Sequence, residues 1–230
     1  MTRTAFAWGA ALAAPLLLLA SSAWASGNSH VIDDSEIETP GVCHLEAWST
    51  RFAPRHGLLN LSPACTRKAW PNLELGGTFQ HGWDSGVDQA TLGPAFKLTL
   101  RPEKSGLGLA ITGASAWNLS SGQWETASLI APVTLKVNDK LRFNLNLGWS
   151  HSRAGAHLDA AFYGAQTEVD VARDLTVMVE AFQRDGDKAG GQAGLRWNPG
   201  GGRFDFDLVA GRRIDGATPR AVTLGLTVRR

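Results

Sequence analysis

From about Gly41 to Arg230 the chain is a succession of short segments in which every second residue is apolar, with no helix-length hydrophobic run between them. A side-chain period of two is what a β-strand imposes. The stretch Leu141, Phe143, Leu145, Leu147 and Trp149 against Arg142, Asn144, Asn146 and Ser150 is the clearest case. Leu92, Phe96, Leu98 and Leu100 oppose Thr91, Lys97, Thr99 and Arg101 in the same way. So do Val222, Leu224, Leu226 and Val228 against Thr223, Gly225, Thr227 and Arg229. Many alternating strands without covering helices must bury their apolar faces elsewhere. One solution is to close the sheet and turn those faces toward lipid, which predicts an all-β, transmembrane, antiparallel up-and-down barrel.

Twelve strands are expected, at about 42–52, 57–67, 71–83, 89–101, 106–118, 125–137, 141–152, 157–172, 175–185, 189–198, 203–214 and 219–230. An even number puts both termini on one side, the periplasmic side in bacterial single-chain barrels. Asn138-Asp139 and Arg173-Asp174 mark tight periplasmic turns. The outer loops, such as Asp84–Gln89 and Leu119–Glu125, are all short. Any plug must therefore come from the N-terminal segment or from side chains in the lumen. Trp83, Trp117, Trp124 and Trp149 fall at outer strand ends, and Trp70 and Trp197 at inner ends, as two aromatic girdles would require.

Residues 1–25 have the order of a secretory signal peptide: Arg3, an apolar stretch ending in Pro15-Leu16-Leu17-Leu18-Leu19-Ala20, and Ala23-Trp24-Ala25 before the expected cleavage. Residues 26–40, with Asp33, Asp34, Glu36 and Glu38, read as a flexible periplasmic lead-in, and 41–230 as the barrel. The whole chain has 22 basic and 21 acidic residues, so removing Arg3 leaves 21 of each. No basic block stands out, which argues against nucleic acid as a partner. Expected partners are outer-membrane lipid, the barrel-assembly machinery and a small solute.

Cys43 and Cys65 are equidistant from Pro54. A hairpin turning at Ala53-Pro54-Arg55 puts them opposite each other and pairs Leu45 with Pro63, Ala47 with Leu61 and Ser49 with Leu59. In an oxidising compartment this predicts a disulfide.

Motifs for catalysis, phosphate binding or a resident cofactor do not stand out. Ser150-His151-Ser152 invites a hydrolase reading, but the alternation points His151 toward lipid. His44 and His81 have no companion at metal-ligand spacing. The polar residues of interest are the charges expected in the lumen: Glu74, Lys97, Arg142, Glu168, Glu180, Arg184, Arg196, Asp205, Asp207 and Arg213. Enclosed charges must be hydrated or paired. They are either filler that stiffens a closed barrel or the lining of a passage.

The run Leu141-Arg142-Phe143-Asn144-Leu145-Asn146-Leu147-Gly148-Trp149 carries a family resemblance, with Val177-Met178-Val179-Glu180-Ala181-Phe182 and Asp205-Phe206-Asp207-Leu208-Val209-Ala210-Gly211. The ending Thr218-Pro219-Arg220-Ala221-Val222-Thr223-Leu224-Gly225-Leu226-Thr227 and the segments around Cys43 and Cys65 extend it. Together they resemble the outer-membrane transporters of the meta-pathway of phenol degradation family. The resemblance implies a barrel that passes small molecules, aromatic or apolar ones among them, and brings no catalytic residues. The chain departs from the usual barrel in ending Val228-Arg229-Arg230 without a terminal aromatic. An outer-membrane lipid hydrolase and a closed structural barrel are the competing functions.

Overall fold

The computed structural model describes residues 29–153 and 157–230. The expected signal peptide and its cleavage site lie outside the described residues. Twelve strands follow one another: β1 (Cys43–Ala53), β2 (His56–Thr66), β3 (Leu73–Asp84), β4 (Val87–Arg101), β5 (Leu107–Asn118), β6 (Trp124–Asn138), β7 (Leu141–Ser152), β8 (Asp159–Ala172), β9 (Leu175–Arg184), β10 (Gly190–Trp197), β11 (Phe204–Arg212) and β12 (Ala221–Arg229). Each pairs with its sequence neighbours, and β1 pairs antiparallel with β12, so the sheet is a closed barrel. A one-turn 3-10 helix, Glu103–Ser105, joins β4 to β5. No helix among the described residues is long and apolar enough to cross a membrane; the strands are the candidates.

Closure removes the sheet edge, so every strand finds both its backbone partners within the wall. The side-chain alternation then separates two environments. In β7, Asn144 and Asn146 are 0% and 3% exposed, while Leu145 and Leu147 between them are 54% and 66% exposed. The outward band is apolar on most strands, and Trp117, Trp124 and Trp149 are exposed at one end of the barrel. Trp70 and Trp197 are exposed at the other, which carries the start of β1 and the C-terminus. This is the reverse of a soluble protein, with its polar groups buried and its large aliphatics outside.

The β1–β2 hairpin has the register that the cysteine spacing predicts. Cys43 faces Cys65, Leu45 faces Pro63, Ala47 faces Leu61 and Ser49 faces Leu59. The two sulfurs are 2.07 Å apart. Bridging a loop of sequence separation 22 restricts the unfolded chain and is worth about 3 kcal/mol. Converting both cysteines to alanine should lower the unfolding free energy of the refolded barrel by about that amount, read from denaturant titrations. Reductant should do the same to the native chain and nothing to the variant.

The sequence expectation fails for the lead-in. The described part of 26–40 is not a free periplasmic segment, because Ser29 to Ser35 are nearly all buried inside the barrel. The physical reason is that the enclosed polar wall offers more partners than its own side chains can use.

Candidate functional site

The lumen is a polar enclosure, and the N-terminal segment shapes it. This segment enters at the terminus-bearing end and binds mostly through its backbone. Ile32 N–H donates to Glu180 Oε2 at 2.7 Å, Asp33 N–H to Asn146 Oδ1 at 2.9 Å and Ser35 N–H to Thr134 Oγ1 at 2.9 Å. Asn146 returns a bond to the Asp33 carbonyl at 2.7 Å. Glu38 N–H donates to Glu74 Oε2 at 3.1 Å. Irregular backbone can sit at membrane depth only when it is enclosed and paired in this way.

Charged side chains complete the docking. Lys97 Nζ lies 3.0 Å from both Asp33 Oδ1 and Asp34 Oδ1. Glu180 Oε1 lies 3.1 Å from His30 Nδ1, and Ser29 Oγ donates to Asp207 Oδ2 at 2.9 Å. Arg229 bridges Glu38 and Asp205. Toward the end away from the termini, Val31 and Ile32 pack with Ile130, Phe162, Phe182, Ile214 and Ala221, and Phe52 leans on the same group. An apolar core thus sits inside the barrel. Ile32 is 1% exposed, and burying such a side chain contributes about 1.5–3 kcal/mol.

Two wall glycines make the room. A Cβ at Gly164 would stand 2.3 Å from Ile32 Cδ1 and 2.8 Å from the Ala181 carbonyl. One at Gly108 would stand 2.0 Å from Ser35 Oγ. The Gly164 position also crowds the wall, whereas the nearest backbone atom to a Cβ at Gly108 is 3.3 Å away, so the variant Gly108→Val should displace the segment while sparing the ladder. Amide exchange of residues 31–36 should accelerate by about tenfold or more, with the barrel's heat-modifiable gel mobility unchanged.

Nine of the ten lumen charges expected from the sequence do project inward. Glu74 accepts from Thr66 and Glu38, and Lys97 holds the two aspartates. Arg142 Nη2 is 2.6 Å from Glu168 Oε2. Glu180 binds His30, the Ile32 amide and Gln192. Arg184 donates to Ser150 Oγ and to the carbonyls of His157 and Leu158. Arg196 pairs with Asp207 at 2.8 Å, and Asp205 with Asn198 and Arg229. Arg213 is the exception. The strand stops at Arg212, so Arg213 lies in the β11–β12 loop at φ 52° and donates to the Ala189 carbonyl.

Ser150 and His151 are not brought together. Ser150 faces the lumen, whereas the His151 ring stacks on Trp124 at a centroid distance of 4.3 Å on the outer surface. No group of three His, Cys, Asp or Glu among the described residues is arranged to hold a metal.

The docked segment does not fill the lumen. Beside it, against β1–β5, runs a cavity of about 460 Å³. It extends from Glu38, His44 and Arg229 near the termini to Trp48, Gln80 and Ser128. The sequence reading missed Glu46 and Trp48, which line it, and the acidic residues of the lead-in.

At the terminus-bearing end, Glu103 of the 3-10 turn and Glu36 of the docked segment converge on Arg142, whose Nη1 is 3.7 Å and 3.6 Å from them. Burial first, and then the negative charge of Glu36, push the Glu103 carboxyl up to about 7; Arg142 opposes the rise. Burial likewise raises Glu36, with Asp34 adding to the effect. Raised acids favour the docked state when protonated. The benefit is complete below the ordinary carboxylate range and is lost as pH climbs through about 7. Docking of Glu36 should thus be tighter at pH 6 than at pH 8. Exchange at residues 35–38, corrected for intrinsic rates, reads this, and Glu103→Gln should flatten the difference.

With this geometry established, comparison with known proteins adds a family. The chain belongs to the family described as uncharacterised conserved protein UCP029691, whose model matches residues 14–230. No curated protein matches the sequence. Among solved structures, the chain is similar to the KdgM porin at 9% identity, with 80% of this chain and 98% of that one covered and a TM-score of 0.63. It is similar to the COG4313 outer membrane channel from Pseudomonas putida F1 at 12% identity, covering 86% and 98%, with a TM-score of 0.62. The NanC porin follows at 6% identity, 81% and 98% coverage and a TM-score of 0.56. At these identities the likeness is one of fold, a closed twelve-stranded antiparallel barrel.

Proposed function

We propose that the protein is an outer-membrane channel for small solutes, exported by its cleaved residues 1–25 and inserted by the barrel-assembly machinery of a Gram-negative bacterium. The observation that carries this reading is the polar cavity running along the inside of the wall beside the docked segment. A barrel meant only as a structural element gains nothing from leaving polar groups lined up along an unfilled space. The fold shared with the KdgM and NanC porins and with the COG4313 channel agrees with it.

The solute is polar. The resemblance drawn from the sequence implied aromatic or apolar molecules, but Asn60, Thr78, Gln80, Thr91 and Thr112 face the passage. A KdgM porin has been solved with oligogalacturonate, a polyanion; the acidic lining here would repel such a ligand. The docked segment acts as a fixed constriction, so the unit conductance is small. In planar bilayers the full chain should give discrete steps, and Gly108→Val, which displaces the segment at Ser35, should enlarge them several-fold. A silent bilayer for both proteins would leave the closed structural barrel, which the apolar cluster around Ile32 favours.

A further inference from the structure

The cavity beside the docked segment is lined by seven carboxylates and three cationic side chains, leaving His44 aside. The three cations are already engaged. Lys97 is held between Asp33 and Asp34, Arg229 between Glu38 and Asp205, and Arg196 against Asp207. An anionic solute would therefore meet no free positive partner. The carboxylates are not all engaged. Glu46 projects from the middle of β1 into the cavity, between Ser62 of β2 and Thr227 of β12 in the ladder. No hydrogen bond or ion pair among the described residues reaches it.

Two positions further along the same face stands Trp48. It is 3% exposed, it lines the same cavity, and its indole N–H has no acceptor. An unpaired donor buried this deeply costs free energy that a partner oxygen would restore. Alternate residues of a strand are about 7 Å apart. The wall thus presents a lone carboxyl and a lone donor, spaced for one small molecule that carries a positive donor and an oxygen a few bonds apart.

From this geometry we infer that the free half of the lumen is a binding site for small organic ammonium ions bearing a hydroxyl or carbonyl oxygen, with the ammonium on Glu46 and the oxygen on Trp48 Nε1. The inference deepens the channel reading and, for transport, rests on it. A single carboxylate without further ligands does not make a metal site, and the acidic surplus disfavours a zwitterion's carboxylate. The cavity is also lined by Asp33, Asp34, Glu36 and Glu38 of the docked segment, whose charge favours cations over anions near Glu46.

Two measurements on the full chain test this. In planar bilayers under a potassium chloride gradient, the reversal potential should show cation preference. Ethanolamine hydrochloride added to one side should interrupt the current. By calorimetry in detergent, ethanolamine should bind the native chain, and binding should weaken about tenfold in Glu46→Gln and less in Trp48→Phe. Asp139→Asn, at a turn where the carboxylate is fully in solvent, should change neither readout. Anion preference, or ethanolamine binding equal in Glu46→Gln and the native chain, would overturn the site while leaving the channel. A silent bilayer with Glu46-dependent ethanolamine binding would overturn the channel and keep the site.

Discussion

At membrane depth no water is available to a backbone amide or carbonyl, and each one left unpaired costs several kcal/mol. This chain meets that constraint with the β1–β12 ladder, in which His44 to Arg51 pair with Arg229 to Val222. Closure has a consequence on each face of the sheet. Outside, the side chains between the ladder bonds must be apolar, and the leucines of β7 and β12 are. Inside, closure encloses polar side chains that also need partners. The remainder of the structure answers that second demand.

The answer is asymmetric. Along the arc from β6 to β12 the N-terminal segment supplies donors and acceptors to Thr134, Asn146, Glu180 and Asp207. Glu180 is the hub, since one carboxylate accepts from the Ile32 amide and Gln192 and sits beside the His30 ring. Replacing such a carboxylate by an apolar group would leave several buried donors orphaned at once, which costs more than any single bond gains. Along β1–β5 it reaches Glu74, Lys97 and Thr99 but leaves Asn60, Thr78, Gln80 and Thr91 bordering the cavity. The enclosed charges thus pair with the segment and with one another, and Glu74, Lys97, Arg196 and Asp205 among them also border the cavity.

How much of this could be read from residues alone depended on periodicity. The β7 stretch Leu141–Ser152 declared its two faces because apolar and polar residues alternate without interruption. The cysteine spacing gave the first hairpin's register for a geometric reason, since only one turn position sets Cys43 against Cys65. Residues 29–38 have no period of two or of 3.6, and an acidic, irregular stretch is indistinguishable from a disordered one by composition. Gly108 and Gly164, which make room for it, look like ordinary strand glycines until the segment is seen against them. Arg213 shares the parity of the inward residues, but parity stops meaning anything once the strand ends. Glu46 and Trp48 went unnoticed because their strand alternates weakly, with Ala47 and Ser49 where leucines stand elsewhere.

That weak alternation bears on where the covalent brace sits. Ala47, Ser49 and Pro63 give the β1–β2 hairpin less apolar surface to set against lipid than other strand pairs have, so its share of the transfer free energy is smaller. The same hairpin borders the cavity along its inward face, with internal support at Phe52 and His44 near its ends. A strand pair with less support from lipid and from the lumen would be the first to open. The Cys43–Cys65 bond closes that pair at the end where the chain enters and leaves the barrel. It lets the wall keep its inner face unfilled and polar without depending on packing for its register.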